Sequence, residues 1–140
     1  MLSDHQRAFL DKLPVAHLAT ADVRAVPHVV PVCYVVVGAS LYISIDQKPK
    51  RVGGRPLKRV RNILENPSVV VTADRYDHDW SQLGWVMMKG TAEILKDGNE
   101  HDQAQEHLRQ RYPQYERMQL AALPVIAVRI TSVIEWGQLA

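Results

Sequence analysis

The stretch PHVVPVCYVVV, Pro27 to Val37, decides how this chain folds. From Val29 to Val37 it is apolar on both of the faces that a strand alternates, yet far too short to cross a bilayer, and Pro31 interrupts it. Pro27 and Pro31 donate no ladder hydrogen bond, so the strand is expected to be irregular or to have one side unpaired, as where a ligand lies against it. A strand with two apolar faces needs a core on one side and a second cover on the other. The expected cover is a second copy of the chain; one of the two longer helices is the alternative.

The flanks of this stretch read as further strands. VAHLATAD (Val15 to Asp22) precedes it after a short connection, and it continues through GAS into LYISID (Leu41 to Asp46), an antiparallel meander. SVVVTADRY and GWVMMKGTAEIL are two more strands, joined by the acidic and aromatic DHDWSQL, and VIAVRITSVIEW closes the chain. Three helices punctuate them. SDHQRAFLDKL has Ser3 and Asp4 as caps and apolar Phe9, Leu10 and Leu13. PLKRVRNILENP begins with Pro56 in its first turn, has the stripe Leu57, Val60, Ile63 and Leu64, and stops at Pro67. NEHDQAQEHLRQRY is capped at Asn99 and reads as solvated, carrying His101 and His107. About six short strands with hairpin spacing predict a mainly β fold, a small six-stranded antiparallel barrel with peripheral helices, in a single domain over residues 1–140.

The chain has 140 residues, 17 of them basic and 15 acidic. Seven of the basic residues fall between Lys48 and Arg61, so the remainder carries ten basic against fifteen acidic residues and the positive charge is concentrated. That distribution argues against a nucleic-acid binder, which spreads Lys and Arg over a face. The opening MLSDHQRAFLDKL has no uninterrupted apolar region, and Cys33 is the only cysteine. A cytoplasmic protein without membrane partner, disulfide or thiolate cluster is the expectation. The six histidines have no zinc-helix spacing, so no metal site is expected. Cys33, in an apolar strand, reads as a small core residue.

The basic run itself, KPKRVGGRPLKRVR, combines Gly53 and Gly54, which let backbone amides approach a ligand, with a helix start at Pro56 that turns the positive end of a helix dipole into the same loop. Lys48, Lys50, Arg51, Arg55, Lys58 and Arg59 add side-chain charge. The combination suits a compact anion with more than one charge, and neither a Walker nor a Rossmann glycine pattern occurs.

The segments VAHLATAD, PHVVPVCY, LYISIDQKPK, LKRVRNILENPSVVVTADRYDHDWSQLGWVMMKGTAEIL and VIAVRITSVIEWG together resemble the flavin and deazaflavin oxidoreductases of the pyridoxamine-phosphate-oxidase-like split-barrel superfamily. The branch they are most similar to is that of probable coenzyme F420-dependent enzymes, with DQKPK and YDHDW the most specific segments. The resemblance covers nearly the whole chain and implies a six-stranded split barrel that pairs as a homodimer, with cofactor in grooves at the subunit interface. By similarity, the cofactor tricycle lies against Val30, Pro31, Val32 and Ser44, with Lys48, Lys50, Arg51 and Arg59 on the anionic tail. Trp80 and Trp85 either line the substrate pocket or pack in the core or dimer interface. The RVGGRP stretch is slightly longer than the family's usual loop. The surplus of basic residues over what one phosphate uses favours coenzyme F420, with FMN as the alternative cofactor. The implied activity is hydride transfer to an unidentified small organic acceptor; a non-catalytic flavin or deazaflavin carrier is the other reading. No catalytic side chain is named, and a proton would come from solvent, Tyr76 or His28.

Overall fold

A computed structural model of the chain describes residues 1–45, 57–118 and 120–140. Helix α1 (Asp4–Asp11) opens the fold with a reciprocal cap. Ser3 Oγ accepts from the Gln6 N–H at 3.0 Å, and Gln6 Oε1 accepts from the Ser3 N–H at 2.9 Å, so the cap falls on Ser3. Strands β1 (Ala16–Ala21), β2 (Pro27–Val32), β3 (Val35–Val37) and β4 (Ser40–Ser44) follow. Helix α2 (Lys58–Glu65), strands β5 (Ser68–Arg75) and β6 (Gly84–Leu95), helix α3 (Asn99–Arg111) and strand β7 (Val125–Gly137) complete the order.

Among the described residues the strand count is seven, not the six expected. All neighbours are antiparallel, in the order β2-β1-β5-β6-β7-β4-β3. The two outermost strands of this sheet, β2 and β3, are consecutive in the chain and separated only by Cys33 and Tyr34. A flat seven-stranded sheet would hold them about six strand spacings apart, ~28 Å at 4.7–4.8 Å each, which two residues do not span. The sheet is therefore curled until its edges meet, a half-barrel with a seam where the apolar stretch changes edges. The fold is the mostly β split-barrel architecture that the sequence implied.

At that change of edge the ladder is lost, and a side chain replaces it. Tyr112 Oη accepts from the Tyr34 N–H at 3.0 Å and lies 2.8 Å from the Pro14 carbonyl and 2.9 Å from the Tyr34 carbonyl, sharing its one hydrogen between them. Tyr34 is fully buried, its hydroxyl donating to the carbonyls of Leu10 and Leu13 at 2.9 and 2.8 Å. Arg111 Nη2 donates to the same two carbonyls, and its guanidinium lies 4.7 Å from the Tyr34 ring centroid. The last carbonyls of α1 are satisfied in this way, and burial pushes the Tyr34 phenol up to about 12.

Two apolar clusters account for the run of buried residues in β4 and β7. Leu41, Ile43, Ile126 and Val128 point into the barrel, where they meet Leu18, Val71 and Met88. Tyr42, Val125 and Ala127 point out and are covered by Ala104 and Leu108 of α3. The helix covers β3 as well, so the intramolecular alternative holds for Val35 and Val37. It does not hold for β2. The cross-strand register puts Val29, Ala19, Val70, Met87, Trp85, Ile134 and Trp136 on one outer face. There Val29 is 59% exposed and Trp136 51%. Among the described residues no helix is long and apolar enough to cross a membrane.

Candidate functional site

The seam has a gap. Strand β3 pairs only with Ser40, Leu41 and Tyr42, so Ile43 and Ser44 extend past its end, toward Val30, Pro31 and Val32 of β2. A cavity of about 380 Å³ lies here, within the range of roughly 300–1,000 Å³ usual for small-molecule sites. Val30, Pro31, Val32 and Ser44, all expected from the sequence, line it together with Arg59 of α2. Four lining residues were not anticipated: Val15, Cys33, Ile43 and Tyr115. Cys33 is half-buried and packs against the apolar cluster under α3, as its core reading expected, but it also stands in the cavity wall, because the chain leaves the ladder at that position. Tyr115 comes from the 3₁₀ turn Pro113–Arg117 after α3, and no local pattern marks such a turn as a pocket wall.

The positive end of α2 is unusual in composition. Its N-cap is Leu57, which offers no side-chain acceptor, and no acidic residue stands in the first turn. Lys58, Arg59 and Arg61 stand in this half of the helix instead. Cations at a helix N-terminus each cost about 0.3–1 kcal/mol, an unfavourable arrangement that a bound anion reverses. Asp22 offsets it in part, with a carboxylate oxygen 3.7 Å from Lys58 Nζ. Arg61 Nε is buried with no hydrogen-bond partner among the described residues. Ser44, shortly before the basic run, and Arg59, within it, both line the cavity; Lys48, Lys50, Arg51, Gly53, Gly54, Arg55 and Pro56 lie outside the described residues.

Trp80 and Trp85 do not line the cavity. Trp80 is 72% exposed on the connection between β5 and β6, and Trp85 is on the outer face of β6 opposite Trp136. Tyr76 is exposed on the same connection, 5.6 Å from His78 in an edge-on contact. His28 faces into the barrel beside Thr20, and its Nδ1 has no partner among the described residues.

His101, expected on a solvated helix, is 1% exposed. Its Nε2 lies 2.7 Å from the Leu123 carbonyl and its Nδ1 3.0 Å from Asp102 Oδ1, so the helix buries a histidine to hold the connection into β7. Burial pulls its pKa down, but these two acceptors outweigh burial and the net shift is upward. On the neighbouring turn Glu100 takes two hydrogen bonds from Arg129, at 2.5 and 2.9 Å, and one from Tyr42 at 2.5 Å. Arg129 first, and Tyr42 second, hold the Glu100 carboxyl at about 2.

Comparison with protein-family profiles matches residues 3–134 to the family described as pyridoxamine 5'-phosphate oxidase. The chain belongs to that family. No curated protein matches the chain. Among solved structures, it is similar to an FAD-binding protein from Mesorhizobium loti, at 26% identity and TM-score 0.69, over 96% of this chain and 94% of that one. A conserved hypothetical protein from Mycobacterium tuberculosis has the same fold, at 17% identity and TM-score 0.76, over 98% and 86% of the two chains. So does the heme storage protein HutZ from Vibrio cholerae, at 16% identity and TM-score 0.72, over 90% and 88%.

Proposed function

We propose that the chain is an oxidoreductase that binds coenzyme F420 at the barrel seam and serves hydride transfer from the reduced deazaflavin to a small organic acceptor. The observation that carries this reading is the meeting of Val30, Pro31, Val32, Ser44 and Arg59 at one cavity, although they come from three separate elements. The donor set suits the group: apolar walls for a planar tricycle, a hydroxyl for its polar edge, and a guanidinium at a helix N-terminus for an anionic tail. When bound, the deazaflavin supplies the hydride. The protein's part is orientation and exclusion of water by Val30, Val32 and Ile43, and charge from Arg59, with Lys48, Lys50 and Arg51 on the tail. Seven basic residues between Lys48 and Arg61 exceed what one phosphate uses, which favours the deazaflavin over FMN.

A flavin nucleotide in the same cavity is the second reading, favoured by the 26% identical FAD-binding protein. In either case a homodimer would cover the outer face around Val29, Ile134 and Trp136, and bring Trp80 and Trp85 of one subunit towards the cavity of the other. Titration of the purified protein with F420 and with FMN, followed by quenching of cofactor fluorescence at two salt concentrations, tests the reading. Tighter binding of F420 that weakens with salt is expected. Equal or tighter binding of FMN transfers the assignment to the flavin, and binding without turnover of any acceptor by the reduced cofactor makes the chain a carrier. Light scattering at micromolar concentration should give the mass of two chains; one-chain mass with cofactor present refutes the dimer.

A further inference from the structure

Ser44 is held from behind the cavity wall. Its Oγ lies 3.3 Å from Gln105 Oε1 of α3. The direction of that amide is set by two backbone carbonyls, because Gln105 Nε2 donates to Leu120 O at 2.9 Å and to Leu123 O at 3.3 Å. Only the NH₂ end serves two carbonyls, so Oε1 faces Ser44. The Leu123 carbonyl is fixed in turn by His101 Nε2. Gln105 is 2% exposed, which keeps bulk water from its amide, and Ser44, 4% exposed, stands between that amide and the cavity. An amide oxygen only accepts. The single hydroxyl hydrogen of Ser44 is therefore committed to Gln105, and Oγ is left with lone pairs alone for any other partner.

We propose that Gln105 is a positioning residue that makes Ser44 an acceptor-only group, so that the cavity selects a ligand presenting an N–H or O–H donor at this wall. The inference rests on the cofactor reading above and adds a polarity to it. Flavin and deazaflavin tricycles carry one ring imide N–H, and their side chains carry hydroxyls; either donor satisfies Ser44. A ligand that offers only an acceptor there meets lone pairs against lone pairs.

Two analogues of FMN separate the two donors: a 3-methyl derivative, which blocks the imide, and a derivative whose side chain lacks the ribityl hydroxyls. The wild-type protein is expected to bind one of them about tenfold more weakly than FMN, the size of one lost hydrogen bond. Gln105→Leu frees the Ser44 hydroxyl to donate as well as accept, so it should narrow that ratio, whereas Ser44→Ala removes the acceptor and should bring it close to one. Gln105→Met serves where the leucine variant does not fold. The ratio is read because a merely structural role of Gln105 would weaken all three ligands alike. Equal binding of all three by the wild type, a ratio undiminished in the Gln105 variants, or one that persists in Ser44→Ala, overturns the proposal. A second readout needs no ligand. In the free protein the Ser44 hydroxyl proton is expected as a slowly exchanging NMR signal that the Gln105 variants abolish. Its absence from the wild-type spectrum also overturns the proposal; its presence in a protein that binds neither FMN nor F420 upholds the polarity of Ser44 and overturns the cofactor reading alone.

Discussion

Replacing Tyr112 by Phe removes one oxygen and keeps the ring, which makes it a clean probe of the place where the sheet changes edges. The hydroxyl serves the Tyr34 N–H and shares its hydrogen between the Pro14 and Tyr34 carbonyls. Its loss leaves one donor and one acceptor of the buried backbone without a partner at any moment. Each such group costs about 1–3 kcal/mol, so the pair sums to roughly 2–6 kcal/mol. The ring contacts with Tyr115 at 5.5 Å and with Arg111 at 5.5 Å survive the change and do not add to the loss. For a chain of 140 residues, each kcal/mol lowers Tm by roughly 3–4 °C, so a fall of about 6–24 °C is expected in calorimetry. Cys33, in the cavity wall, adjoins Tyr34, so ligand affinity at the seam should drop in the same variant. A loss below about 1 kcal/mol with the denaturant m-value unchanged would refute the claim that the hydroxyl replaces the missing ladder.

Further predictions concern charge. Glu100 has its pKa depressed to about 2 in the folded chain, so the stability it contributes is present above its ordinary value of 4.5 and lost as pH falls from 4.5 through 2. Because its side chain is 41% exposed, we expect only about 1 kcal/mol after solvent screening, read as a flatter acid limb of the stability curve in Glu100→Gln. His101 has its pKa raised above 6.5, so its contribution is full below pH 6.5 and lost as pH rises through the folded value. Hydrogen exchange of amides 120–123 should quicken over that interval beyond the intrinsic pH dependence, and His101→Gln should remove the extra step. Lys50→Ala and Arg59→Ala should each weaken F420 binding by roughly 1–3 kcal/mol with the fold intact; a fall in Tm at unchanged affinity would mark either residue as structural.

Much of the architecture is legible along the chain because it depends on local rules. Apolar residues in VAHLATAD and GWVMMKGTAEIL mark strands, and Ser3 or Asp4 as cap and the stripe Leu57, Val60, Ile63 and Leu64 mark helices, each within about two residues of the structure, though Leu64 proves exposed. The concentration of charge between Lys48 and Arg61 is likewise a property of the sequence alone, as is its placement before a helix. Both faces of Val29–Val37 are apolar, so the sequence also demands two covers for that stretch.

That α3 covers Val35 and Val37 was settled only by tertiary structure. The stretch is two strands on opposite edges of one sheet, since Tyr112, 78 residues from Tyr34, supplies the hydrogen bonds that let the ladder stop between them. Periodicity cannot register this, because a residue changing edges is as apolar as one staying in place. His101 illustrates the same point: its helix is mostly polar, and only the Leu123 carbonyl, delivered by the return of the chain, makes its burial favourable. The cavity too is a product of closure. Val30 and Ser44 are adjacent to it because the strand between them is too short to fill the seam, and Gln105 reaches Ser44 across 61 residues. Residue types set by local pattern were readable one segment at a time, whereas hydrogen bonds between distant segments depend on where the curled sheet brings its two edges together.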